Sequence, residues 1–276
     1  MLNWLTKGYF DIAKYTGPVI LLIAVIVWFC LIMKNTDIKK NKKALIKIGI
    51  CALVLATVAP FVSLTLTGKL FNFLAGFGNI FKSAQNFFGT LKTVFCKGFS
   101  ITSGLMFLAV LIVFVVKDAK KMTFAILYPF PLFAAIARVN CFLKGCCFGV
   151  RTNISLLSVT YPPGSQASKF HFAKFNRESR FLESLPVHPT QLYIAAAMLL
   201  LYAAVILMNR FGVRKNIIAG TVLSGYGFAN FLIEFLREEP LLFNFLTLGQ
   251  FMDFVIIGIG IYLIFSVKEE EIFESK

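Results

Sequence analysis

The residues most able to do chemistry are polar groups stranded in apolar sequence, and they fall in three short stretches. The first runs Arg138-Val139-Asn140-Cys141-Phe142-Leu143-Lys144-Gly145-Cys146-Cys147-Phe148-Gly149. Roughly sixteen apolar residues precede Arg138, so at 1.5 Å per residue it lies about 24 Å along its helix, near the far headgroup level. A guanidinium there either holds an anion such as a lipid phosphate or snorkels and anchors the helix. Helical spacing continued from Arg138 predicts that Cys141, Gly145 and Gly149 share its face, the two glycines admitting a close neighbour or ligand. The second stretch, Gly225 to Arg237, places Tyr226, Asn230, Glu234 and Arg237 on one stripe. Such a stripe is too costly to expose to lipid and should face the bundle interior or a wet cavity. Its arginine either binds an anionic headgroup or neutralises Glu234 at i, i+3. The third, Val187-His188-Pro189-Thr190-Gln191-Leu192-Tyr193, puts a histidine at a proline-marked helix start, where the dipole favours an anion. His188 is a candidate general acid or base, or a hydrogen-bonded cap.

Three cysteines, Cys141, Cys146 and Cys147, cluster in the first stretch, whereas Cys30, Cys51 and Cys96 are scattered. There is no C-x-x-C pair and only two histidines, His171 and His188, so the spacing calls for no metal and no cofactor. The cluster is left with three readings: small apolar packing residues, a disulfide from Cys141 to Cys146 or Cys147, or a reactive thiol.

The elements that must position these groups are membrane helices. Hydrophobic residues are 58% of the 276 and mean hydropathy is +0.79, above the roughly 45–50% apolar share of ordinary soluble domains. The formal charge of +15 sits in short clusters between apolar runs, not on an aromatic-interleaved basic face, which argues for topology and anionic lipid and against nucleic acid. About seven runs can cross a ~30 Å hydrocarbon core: 16–33, 44–67, 98–116, 122–147, 189–208, 216–237 and 247–267. A Phe-rich piece broken by glycines, 70–94, is expected at the interface. Basic clusters after the first, third and fifth runs place those loops in the cytoplasm, the N-terminus and the basic 150–188 segment outside, and the C-terminal tail inside. The fold class is therefore an all-α, polytopic bundle in one membrane domain, 1–276, with 150–188 as an irregular extracytoplasmic loop or lid.

Over residues about 95–267 the chain resembles the prolipoprotein diacylglyceryl transferase family. The likeness rests on His188-Pro189-Thr190-Gln191-Leu192-Tyr193, on the Arg138 to Gly145 stretch, and on Tyr226-Gly227 followed by Glu234-Phe235-Leu236-Arg237, with Leu248-Gly249-Gln250 fitting as well. The resemblance implies a multi-pass protein of the bacterial cytoplasmic membrane. It implies transfer of the diacylglyceryl group of phosphatidylglycerol, or of another anionic phospholipid, to a cysteine thiol near a prolipoprotein signal peptide. On this basis Arg138, His188 and Tyr226 are the catalytic candidates. Arg138 and Arg237 would hold the phosphate, Glu234, Asn230 and Gln250 would line the cavity, and Gln191, Tyr193, Gly145 and Gly149 would complete the substrate-binding set.

The chain also departs from the family pattern. The stretch matching the family's His-Gly-Gly turn, Gly98 to Leu105, has no histidine. Asn230 stands where the family has an arginine, Ile194 where glutamate is common, and Gly145-Cys146-Cys147 where Asn-Gly-Glu is usual, as in a divergent branch with a Gly-Cys-Cys stretch. Four functions follow: the transfer itself, with His188 or a thiolate as base; transfer to another acceptor; lipid binding or transport without chemistry; or thiol exchange at the outer cysteines.

Overall fold

The computed structural model describes residues 19–20, 22–24, 26–28, 30–32, 124–154, 157–175, 182–237, 241–242 and 246–265. The expected spans 44–67 and 98–116 and the interfacial piece 70–94 lie outside the described residues. Two compact units divide the chain, Met1–Thr36 with Thr123–Lys276, and Asp37–Met122; everything below belongs to the first.

The described part is mostly helical. Helix α1 is Phe130–Leu143, α2 Gln166–Lys174, α3 Thr190–Arg210 and α4 Lys215–Glu234; a two-residue antiparallel pair, β1 Leu241–Leu242 with β2 Leu246–Thr247, leads into α5, Leu248–Phe265. A helical turn at 124–127 precedes α1, and Pro129 and Pro131 explain the break, since a proline ring cannot continue the preceding hydrogen-bond ladder. Three helices, Phe124–Leu143, α3 and α4, are long and apolar enough to cross a membrane. Twenty-one residues make α3 about 31 Å long, a bilayer core's thickness. Their outer faces are apolar, with Leu199, Leu200, Leu207, Phe228 and Leu232 exposed, as a lipid solvent allows. An apolar helical piece, Leu22–Ile32, adjoins the start of the Phe124 span, where Trp28 donates to the Ile126 carbonyl at 3.1 Å and stacks on Phe133.

Helix α4 packs along α5 and against α3, and α1 packs on α3. The α4–α5 seam is close because glycine faces glycine. A Cβ built on Gly220 would lie 2.5 Å from the Gly260 carbonyl oxygen, and one on Gly260 would lie 2.7 Å from the Ser224 amide nitrogen. Where lipid is as apolar as the helix surface, such backbone approach supplies the van der Waals contact that holds helices together. Gly260→Leu is therefore expected to force the seam apart and cost on the order of 1–3 kcal/mol. A lowered thermal midpoint of the detergent-solubilised protein would report it, whereas an unchanged midpoint would mean that the seam is not tight.

The 150–188 segment contains more order than its composition suggested. Ser165 caps α2 through Ser168 N–H at 3.1 Å, the Tyr161 amide donates to the Ser184 hydroxyl at 2.8 Å, and Val187 bridges both Arg151 and Val159. Phe142, Val159, Tyr161, Ala167 and Val187 form a small core under it. His171 is fully buried there, its Nδ1 accepting from the Leu185 amide at 3.0 Å among the rings of Phe148, Phe170 and Phe175. Its role is to hold the segment together.

Candidate functional site

Helix α1 carries Arg138 inward, only 6% exposed. The groups acting most strongly on its charge are Tyr226, Cys147, Arg237 and Cys141; His188 is not one of them. Among the described residues no side chain hydrogen-bonds the guanidinium. Tyr226, Asn230 and Glu234 line the buried face of α4, as their four-residue spacing predicts. The Tyr226 ring packs edge-on against Phe130, centroids 5.3 Å apart. Its hydroxyl and the Asn230 amide nitrogen have no hydrogen-bond partner among the described residues.

Arg237 departs from the sequence reading, because α4 stops at Glu234 and the arginine lies beyond it. Leu236 N–H bonds the Ile233 carbonyl at 2.9 Å and Arg237 N–H that of Glu234 at 3.0 Å, tightening the last turn before the chain extends. Arg237 still reaches back: its Nη1 donates to the Glu234 carboxylate at 2.8 Å. Gly249 makes room for that carboxylate, since a Cβ there would meet Glu234 Oε1 at 2.6 Å. The start of α5 supplies the rest. Thr247 Oγ1 lies 3.3 Å from Glu234 Oε1 and accepts from the Gln250 amide at 3.1 Å, while Gln250 Oε1 accepts from Thr247 N–H at 2.9 Å. This reciprocal cap fixes Gln250 and Glu234 together. One turn further on, Asp253 is buried beside Glu234, Arg138 and Arg237. Sequence reasoning missed Asp253, although a lone carboxylate in an apolar helix is itself a functional signal.

The glycines of the first stretch do not share the helical face expected of them. Helix α1 ends at Leu143, and Gly145 at φ +62° and Cys147 at φ +57° turn the chain back on itself. Gly145 is pressed against Tyr161, whose Cδ1 an added Cβ would meet at 2.9 Å. Gly149 is the crossing point of three segments: its amide donates to the His188 carbonyl at 2.9 Å, Val150 N–H to the Leu236 carbonyl at 2.7 Å, and Gly149 bridges Arg237. The turn thereby gathers Cys141, Cys146 and Cys147, with all three sulfurs within 4.8 Å of one another. Helix α3 buttresses it from below, Thr190 Oγ1 donating to the Cys147 carbonyl at 2.8 Å and Gln191 Nε2 to the Cys146 carbonyl. His188 and Tyr193 stand at the edge of this assembly. The imidazole Nδ1 pairs with the Tyr193 hydroxyl at 3.1 Å, and that hydroxyl approaches the Leu157 carbonyl at 3.5 Å.

Hydrogen bonds from Cys141 and Cys146, helped by the nearby Arg237 and Arg138 charges, hold Cys147 well below the ordinary thiol range, while Cys146 is held above it by its bonds to Cys141 and Cys147. Cys147 is thus the thiol of the trio that ionises most readily. Iodoacetamide should modify Cys147 at a pH where an ordinary thiol, pKa about 8.5, is still protonated. Peptide mapping that finds Cys146 reacting first would reverse the assignment.

Fold and site together define a helical protein with membrane-length apolar helices and a buried polar cluster in which two arginines, a tyrosine, two carboxylates and three thiols meet. The chain belongs to the prolipoprotein diacylglyceryl transferase family, whose model matches residues 5–266. It is 27% identical over 147 residues to a phosphatidylglycerol–prolipoprotein diacylglyceryl transferase of Clostridium tetani, covering 53% of each chain. It is 35% identical over 91 residues to the enzyme of that name from Idiomarina loihiensis, covering 31% of this chain and 34% of the relative. With that of Methylocella silvestris it shares 38% over 100 residues, 32% and 35% of the two chains. The matched part thus spans about half the length of the first relative and about a third of the other two.

Proposed function

We propose that the protein transfers a diacylglyceryl group from phosphatidylglycerol, or a similar anionic phospholipid, to a cysteine thiol near a prolipoprotein signal peptide. The observation that carries this reading is the buried Arg138 with Tyr226 and Arg237 both near its guanidinium in a family member. In the reaction the acceptor sulfur loses its proton and attacks the glyceryl carbon bonded to the phosphate oxygen. The carbon–oxygen bond breaks, a thioether forms, and glycerol phosphate leaves. The phosphate gains one negative charge as the bond breaks, so fixed guanidiniums bind the transition state better than the diester. Arg138 and Arg237 hold the phosphate; Tyr226 and Asn230 offer their polar groups to the headgroup, and Glu234 with Gln250 orients Arg237. His188, steadied by Tyr193, takes the thiol proton at the entrance, and Gln191 with Gly145 and Gly149 keeps the turn in place.

The same reading places seven helices in one domain of the bacterial cytoplasmic membrane, N-terminus outside and C-terminus inside. It lays 70–94 at the interface and leaves 150–188 outside, where the acceptor peptide arrives. A second reading, lipid binding without transfer, is favoured by Asn230 in place of the family's arginine and by the histidine-free Gly98 to Leu105 stretch. Incubating the purified chain with headgroup-labelled phosphatidylglycerol and a cysteine-containing precursor peptide separates the two. Thioether and glycerol phosphate in equal amounts are expected; lipid that co-purifies but emerges intact would overturn the transfer.

A further inference from the structure

We propose that Cys141, Cys146 and Cys147 form a three-sulfur site for one divalent thiophilic cation of the zinc class, with its fourth coordination position facing the acceptor thiol. The linear spacing hides such a site, because residues 141, 146 and 147 follow no metal-binding pattern. The backbone creates it. The end of α1 at Leu143 and the two left-handed residues, Gly145 and Cys147, fold the second and third thiols back beside the first. A non-glycine residue at φ +57° is strained, and strain of this kind is kept where the surroundings demand it. Here the Thr190 and Gln191 side chains clamp the carbonyls of Cys147 and Cys146 and fix the turn from outside.

The dimensions suit the ion. Zinc–sulfur bonds of about 2.3 Å at tetrahedral angles set sulfurs roughly 3.8 Å apart. The three sulfurs, all within 4.8 Å of one another, come to that spacing by small side-chain rotations. Three thiolates and a dication carry one net negative charge, which the neighbouring Arg138 and Arg237 offset. All three cysteines are only partly buried, so an ion can enter and one side stays open for another ligand. Three protein ligands plus an open position is the arrangement of a catalytic zinc, and a thiol that coordinates such an ion gives up its proton. In the fourth position, which rests on the transfer reading above, the acceptor cysteine binds as thiolate and His188 takes its proton. The sulfur then alkylates at the glyceryl carbon as glycerol phosphate leaves. The bound cation would thereby supply the activation that the histidine-free Gly98 to Leu105 stretch cannot.

The test uses the full chain with Cys30, Cys51 and Cys96 replaced by serine, titrated with Co(II) as a spectroscopic stand-in and then with Zn(II). One Co(II) per chain is expected, with a thiolate-to-metal charge-transfer band that one equivalent of Zn(II) abolishes and that Cys141→Ser, Cys146→Ser and Cys147→Ser each lose. No band, a band surviving all three substitutions, or a Cys141–Cys146 disulfide in mass spectra of freshly purified protein would overturn the site. A cysteine-containing peptide should then shift the Co(II) ligand-field spectrum, and an unaltered spectrum would overturn the open position. No lipid is present in these titrations, so their failure leaves the transfer reading standing. Conversely, a metal-loaded chain that never releases glycerol phosphate would refute the transfer and not the site.

Discussion

Replacing Arg138 by alanine is expected to lower glycerol phosphate release roughly a hundred- to a thousandfold, the range for removing one fixed transition-state donor from a dry site. The loss should fall mainly on kcat, because the phosphate acquires its extra charge only as the carbon–oxygen bond breaks. Stability should change far less. Arg138 is buried among Tyr226, Cys147 and the like charge of Arg237, whose effects on its charge oppose one another, and among the described residues it has no hydrogen-bonded partner whose loss would orphan an acceptor. A residue that serves the fold weakly and the reaction strongly gives that combination. Arg138→Lys keeps the charge but loses the planar fork, so partial activity is expected. Headgroup-labelled phosphatidylglycerol turnover, read beside thermal unfolding of the same preparations, checks both halves. An Arg138→Ala variant with full turnover would remove the arginine pair from the reaction.

What was legible in the sequence followed from regular spacing. Tyr226, Asn230 and Glu234 are four residues apart and share the buried face of α4, because an α-helix of any sequence puts them there. The starts of α3 and α4 lie within a residue of their expected places, since proline and basic residues mark them locally. Where helices stop was harder to read. Helical phase extended past Leu143 set Gly145 and Gly149 on the face of Arg138, but the chain leaves the helix there and both glycines serve close crossings with distant segments instead. Arg237 was placed on a stripe it does not occupy for the same reason, though its bond to Glu234 survives the end of the helix. The thiol cluster and the approach of Asp253 to the arginines depend on contacts between segments far apart in the chain, and no local pattern encodes those. Long, apolar, periodic segments specify themselves; the turns that aim the polar groups are specified by what they pack against.

Gly149→Val is the sharpest test of that last point, because it replaces no charged or nucleophilic residue and acts only through the crossing. A Cβ at 149 would sit 2.6 Å from the Leu236 carbonyl oxygen, 2.8 Å from His188 Cβ and 2.8 Å from Thr190 Cγ2. The carbonyl cannot withdraw without breaking the 2.7 Å bond it accepts from Val150 N–H, and His188 cannot withdraw without stretching the 2.9 Å bond from Gly149 N–H. Relief therefore requires the Arg237 segment to move away from the cysteine turn, at an overpacking cost on the order of 1–3 kcal/mol. A displacement of about 1 Å at a positioning element is enough to cost a hundredfold in rate, so turnover is expected to fall by roughly that factor while Arg138 and Arg237 both remain. Gly212→Ala is the matched control. That glycine has φ +70° with no heavy atom within 4 Å of an added Cβ, so alanine there brings backbone strain of roughly 1–2 kcal/mol without a clash. If both variants lose stability but only Gly149→Val loses turnover, the three-segment crossing at Gly149 is what aims Arg237 and His188. Equal turnover in the two would mean that Arg237 is aimed by Glu234 alone.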